Sequence, residues 1–229
     1  MPYLNHATRN NSIYVDGKIS TGSPDERDAD KDIPNIPELS EGLHQYYKLE
    51  QETDLYSFNT GRVFEKIGVN EKKIFQNGVP VHFVLVDNKP HLTKVGIEYL
   101  IGKCCGVIII TNNKSHPALH IESDNLHVIS FTGEVDFNKV FTHLKELGVD
   151  KMTIQSGGTM NEILLRNGLI DKLQLVVAPA LFGGKDTPTL IDGESLQTDD
   201  DLMEIKTLKL DDVTKLDNSY LLLEYTVRN

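Results

Sequence analysis

Two stretches of the chain are rich in apolar residues, PVHFVLVD (80–87) and the nearly all-apolar GVIIITNN (106–113), and both end in polar residues. Runs of this length, rich in branched and aromatic residues, predict strands, and strands apolar on both faces suit the middle of a mostly parallel sheet. IGKCCGVIIIT (101–111) reads as one buried strand. Elsewhere the period changes to that of a helix. ELSEGLHQYYKLEQE (38–52) repeats Leu39, Leu43, Tyr46, Tyr47 and Leu49 at helical spacing. DFNKVFTHLKELG (136–148) turns Val140, Phe141, Leu144 and Leu147 to one side and stops at Gly148. GIEYLIGK (96–103) and TMNEILLRNG (159–168) also read as helices. SIYVDGKIS (12–20) carries a first strand and an Asp16-Gly17 turn. DLYSFNTG is a strand ending at Gly61, and RVFEKIGV is a short helical turn. LHVISFTG, DKMTIQ and KLQLVVAPAL are strands, and EIKTLKLDDVTKLDNSYLLLEYTV closes as two strands of a hairpin. TGSPDERDADKDIPNIP (21–37), acidic and poor in apolar residues, reads as a long surface loop. The order β-α-β-α-β with an antiparallel tail is an α/β pattern.

Composition narrows what such a fold would handle. The chain has 229 residues, a net charge of −11 and a pI near 5.1. That balance argues against nucleic acid and against an anionic membrane surface, while a local amide-lined pocket can still take a phosphorylated small molecule. The two cysteines, Cys104 and Cys105, are adjacent and have no third partner, so a reducing, cytoplasmic setting is expected. No apolar run approaches ~18 residues and the N-terminus has no secretory h-region, so no membrane span or signal is expected. His116 and His120 are spaced i, i+4, but Pro117 stands between them, and no metal site is expected.

In α/β sheets ligands sit at the carboxyl ends of strands. The polar residues there are Asn59 and Thr60, Asp87 and Asn88, Thr111 and Asn112, and Ser156 to Thr159. Gly157-Gly158 stands between a strand and a helix. Its amides and the helix start can hold a diphosphate, or the pair can simply permit close packing. Arg62, at the start of a helical turn, can hold a phosphate or be a surface arginine. Asp16-Gly17 is a turn that can also wall a pocket. No Walker loop and no GxGxxG is present.

In combination these stretches resemble a known family. NTGRVFEKIG resembles the dihydrofolate reductase segment where Gly-Arg opens a helix at the cofactor phosphates. The stretch from 162 to 184, with Leu164-Leu165, Gly168-Leu169, Asp171, Leu173, Leu175, Pro179, Leu181 and Gly183-Gly184, resembles the C-terminal reductase domain of the bifunctional riboflavin-biosynthesis enzymes. The zinc-ligand HxE and PCxxC patterns of the deaminase half are absent. The resemblance implies a single dihydrofolate reductase-like α/β domain over 1–229, with a mixed, mostly parallel sheet and an antiparallel C-terminal hairpin. It implies NADPH as hydride donor (NADH possible), a homodimer, and hydride transfer to a carbonyl or imine carbon of a small molecule. Carried over by position, Thr60, Gly61 and Arg62 would face the phosphates. Asp87, Thr111 and Asn112 would lie by the adenosine ribose. Gly157, Gly158, Thr159 and Met160 would face the diphosphate, and in the family the two glycines can be joined by a cis peptide. Asp16 would be the catalytic residue that orients or polarises the substrate. Tyr14, Gly17, Ser156, Leu181, Phe182 and Gly183 would line the substrate side, with Gly184 closing the pocket. The chain departs from the family at Ser156 (usually Glu), Tyr14 (usually Ser), Asn10 (often Lys) and GVNEKKIF. Asp87 would repel a 2′-phosphate and so favour NADH. The alternatives are a reductase for a different small molecule on this fold, or a binding protein without chemistry.

Overall fold

The computed structural model describes residues 6–23, 27–72 and 78–228. In chain order its elements are β1 (His6–Tyr14), α1 (Ala29–Asp32), α2 (Pro37–Gln51), β2 (Tyr56–Thr60), α3 (Gly61–Lys66), β3 (Val79–Val86), α4 (Lys94–Lys103), β4 (Cys104–Thr111), β5 (Leu126–Ser130), α5 (Phe137–Glu146), β6 (Lys151–Ile154), α6 (Gly158–Arg166), β7 (Lys172–Ala178), β8 (Thr207–Lys215) and β9 (Leu221–Arg228). The chain divides into two compact units, residues 54–156 and residues 6–53 with 157–228.

The first unit is an all-parallel sheet in the order β5-β4-β3-β2-β6. Parallel neighbours need a crossover between them, and α3, α4 and α5 supply the helical ones. β4 is buried at seven of its eight positions, as its unbroken apolar run predicts. Leu85, Leu92, Ile97, Leu100, Val107 and Ile109 form one cluster with Phe64 and Val69. Each such side chain contributes roughly 1.5–3 kcal/mol on burial. α4 starts where the Thr93 hydroxyl accepts from the Gly96 amide at 3.3 Å, and the Asp136 carboxylate caps α5 through Lys139 N at 3.2 Å. The strand expected over 101–111 begins only at Cys104, because Ile101 to Lys103 complete the last turn of α4.

The second unit pairs β1 with β7 in parallel, then β7 with β9 and β9 with β8 antiparallel, giving β1-β7-β9-β8. The predicted C-terminal hairpin is the β8–β9 pair. Its turn contains Asn218 and Ser219 at φ of 54° and 65°. Behind the turn Tyr220 is fully buried, and its hydroxyl donates to Leu39 O at 2.8 Å. Gly42 makes room for that ring, since a Cβ there would collide with it. The segment 21–37 is more ordered than a loop. It contains α1 and a further 3₁₀ turn, and Ile33 is buried beside Leu39 and Tyr14. Ala29 and Ile36 pack against the same cluster, so a few apolar side chains pin this largely polar segment to the core. Residues 24–26 of that segment, and 73–75 of GVNEKKIF, lie outside the described residues.

Candidate active site

In the first unit, Thr60 closes β2 in extended conformation and Gly61 opens α3. The Asn59 side chain accepts from Thr60 N at 2.8 Å. Arg62 is exposed, and Gly61 is buried with its Cα against the Asp87 carboxyl, where a Cβ has no room. Asp87 itself turns inward and is 1% exposed. Its Oδ2 accepts from Leu92 N and from His116 Nε2, both at 3.0 Å. Its Oδ1 accepts from His91 N at 3.1 Å and meets His91 Nδ1 at 3.0 Å. Burial pushes this carboxyl up, but those hydrogen bonds outweigh it and hold Asp87 below the usual carboxylate range. Thr111 is also fully buried. Its hydroxyl donates to Asp87 O at 2.9 Å and accepts from Asn113 N at 3.1 Å. Asp87 and Thr111, both expected beside an adenosine ribose, thus have their side chains bonded inside the protein. Asn112 is half-exposed, tied through its amide to Asn88 Oδ1 at 3.0 Å. Ser156 follows β6 and is buried.

In the second unit, β1 ends at Tyr14 and turns through Gly17 at φ 81°. Asp16 is exposed, and its Oδ2 accepts from Gly183 N at 2.6 Å and Phe182 N at 2.9 Å. The Gly183 amide, with that of Phe182, holds the Asp16 carboxyl below its ordinary range. Tyr14 is buried, its ring centroid 4.2 Å from that of Phe182, and burial pushes its phenol well up. Tyr14, Asp16, Gly17, Phe182 and Gly183 thus form one cluster, with Leu181 beside it and 74% exposed.

The two glycines at 157 and 158 have different surroundings. A Cβ on Gly158 would collide with Thr189 O and the Asp192 carboxyl, so that glycine serves close packing. A Cβ on Gly157 would meet nothing within 4 Å. Gly157 stands at the start of α6 and, as a glycine, offers the helix's first amides no side-chain cap. No cis peptide occurs among the described residues, and the Gly157–Gly158 bond is trans, unlike the linkage that the resemblance allowed. Sequence reasoning missed the loop at 189–192. Asp192 N donates to Gly158 O at 3.2 Å, Leu190 N to Gly17 O at 3.1 Å, and Asn161 Nδ2 to Leu190 O at 2.7 Å. This loop ties the start of α6 to the Asp16-Gly17 turn. The only local signal was the polar TLIDG after a proline.

The fold is of the α/β class, with a parallel sheet, flanking helices and an antiparallel end. The chain belongs to the RibD C-terminal domain family, whose model matches residues 81–222. It is 32% identical over 101 residues to a 2,5-diamino-6-ribosylamino-4(3H)-pyrimidinone 5′-phosphate reductase of Methanothermobacter thermautotrophicus, covering 44% of this chain and 45% of that one. It is 30% identical over 93 residues to the riboflavin biosynthesis protein RibD of Actinobacillus pleuropneumoniae, covering 41% of this chain and 24% of that one. The chain thus spans less than half the length of these relatives. Among solved structures, Acinetobacter baumannii RibD superposes with a TM-score of 0.65 at 14% identity, over 99% of this chain and 59% of that one. The Saccharomyces cerevisiae riboflavin biosynthesis reductase Rib7 gives 0.60 at 15% identity, over 100% and 92%. These two likenesses concern the fold.

Proposed function

We propose that the chain is an NADPH-dependent reductase of the riboflavin-pathway type, acting on the carbonyl or imine carbon of a small molecule such as C1 of a ribosylaminopyrimidine phosphate. The family match over residues 81–222 carries this reading, because it includes the Gly-Gly turn, the 181–184 loop and the carboxyl ends of β3 and β4. The open side of Gly157 supports it. There a phosphate can approach the backbone amides at the start of α6 without meeting a side chain.

Gly157, Thr159 and Met160 would hold the diphosphate, and Thr60, Gly61 and Arg62 would hold phosphate in the first unit. A reduced nicotinamide, when bound, supplies a hydride. Asp16, held ionised by two amides, accepts a hydrogen bond from a substrate hydroxyl or amine and has no proton to give at neutral pH. Tyr14 keeps its proton and packs against Phe182, which fixes the 181–184 loop over the turn. We assign the proton of the reduction to water. The burial of Tyr14 where the family usually has serine favours a second substrate choice on this fold. A homodimer in the cytoplasm completes the proposal. β8 is exposed at all nine positions, with Leu208, Leu210 and Val213 at 41%, 51% and 53%, an edge that a second copy would cover.

Titration of the purified protein with NADPH and with NADH, followed by nicotinamide fluorescence, tests the reading. Micromolar binding is expected, tighter for NADPH. Binding of neither would reject the reductase and leave the non-catalytic alternative. Turnover with the pyrimidine substrate then separates the two substrate choices, and sedimentation of wild type against Leu210→Asp tests the dimer.

A further inference from the structure

We propose that Asp87 and His116 form a positioning pair that sets the seat of Gly61, and through it the Thr60–Gly61–Arg62 segment, rather than touching the cofactor. This rests on the reductase reading above. The pair is closed to solvent, with His116 at 0% exposure and Asp87 at 1%.

The tautomer of His116 follows from its two bonds. Ala118 N donates to His116 Nδ1 at 3.1 Å, so Nδ1 carries no proton. The ring's proton is therefore on Nε2 and is donated to Asp87 Oδ2 at 3.0 Å. A second proton would set N–H against N–H at Ala118, so the buried partners are a neutral imidazole and a carboxylate. Leu92 N and the backbone and ring of His91 saturate the remaining lone pairs of that carboxylate. Gly61 then packs directly on it, with no space for even a methyl group. The same loop grips the residues that follow α3. Asn70 Nδ2 donates to His91 O at 2.8 Å, and Asn70 Oδ1 accepts from Thr93 N at 2.9 Å. The depth at which α3 begins is thus set by where His116 holds Asp87. Asp87 keeps its negative charge, but its lone pairs are taken by internal donors, so it offers no free acceptor to a ribose hydroxyl.

Two isosteric changes at His116 separate positioning from general structure. His116→Asn keeps an acceptor near the Nδ1 position and loses the donor to Asp87. His116→Gln puts an amide N–H near the Nε2 position and loses the acceptor for Ala118. We expect His116→Asn and Asp87→Asn to raise the NADPH Kd and KM about tenfold, with kcat per folded molecule within about twofold, and His116→Gln to stay within about threefold of wild type. Equal losses in the two His116 variants, or wild-type Kd in His116→Asn and Asp87→Asn, would overturn the pair. Should those variants not fold, Gly61→Ala presses on the carboxylate from the other side with the pair intact. It should show the same rise in Kd, and an unchanged Kd would overturn the proposal. Failure of wild type to bind either nucleotide would instead reject the reductase reading, and the positioning role with it. Wild-type binding with unaffected variants rejects the positioning role alone.

Discussion

The turn after β1 and the loop after β3 each place an aspartate beyond the end of a strand, and the two aspartates are used in opposite ways. Asp16 and Asp87 both accept from two backbone amides, and both are held below the usual carboxylate range. Asp16 is exposed and its bonds organise the Phe182-Gly183 segment beside the candidate substrate side. Asp87 is sealed, and two histidines add to its amides. The number of backbone-amide donors does not separate the candidate site residue from the scaffold residue here. Access to solvent does, since a buried carboxylate must be fully paired whereas an exposed one retains capacity for a ligand.

The sharpest way to break this comparison is to delete each carboxylate. Asp87→Ala strands the His116 Nε2–H and Leu92 N–H in the core. It should cost ~1–3 kcal/mol for each stranded donor in urea unfolding. Asp16→Ala should cost under ~1 kcal/mol, while the KM for substrate rises, because exposed pairs are weak. Similar losses of stability at the two positions would void the distinction. The adjacent glycines sharpen the same contrast. Gly158→Val must displace Thr189 and Asp192 and should lose ~1–3 kcal/mol of stability. Gly157→Ala, at φ −78° with open space above, should leave stability equal or higher by up to ~1 kcal/mol while weakening NADPH. Normal NADPH affinity in that variant would remove the backbone approach.

The smallest expected effect is on acid stability. Both folded values lie below the unfolded one, so the unfolded chain takes up protons first. Stability from these groups is present above about pH 3.9 and is lost as pH falls through the folded values. Asp87→Asn should flatten the acid limb of a urea-midpoint profile, and Asp16→Asn should alter it less. Equal flattening would argue that exposure does not matter.

Much of the candidate site was readable from residue order, because its signals are local. Gly157-Gly158 at a strand–helix junction, Asp16-Gly17 at the end of the first strand and the paired glycines at 183–184 are each short motifs whose backbone requirement is carried by adjacent residues. The inward turn of Asp87 was not readable. Its donors come from positions 91, 92 and 116, brought together only when β4 and the loop after it pack on β3. The same holds for Gly158, whose neighbours lie at 189 and 192.

Hydrophobic period and glycine placement, which act over a few residues, were enough to establish the α/β order and the parallel strands, while the family was legible only through the resemblance of residues 59–68 and 162–184 to known reductases. Which polar side chain faces outward, and which glycine is there for packing, depended on contacts between distant segments. Those are settled by burial and the pairing of every buried donor, conditions that hold for the folded assembly and for no stretch of it alone.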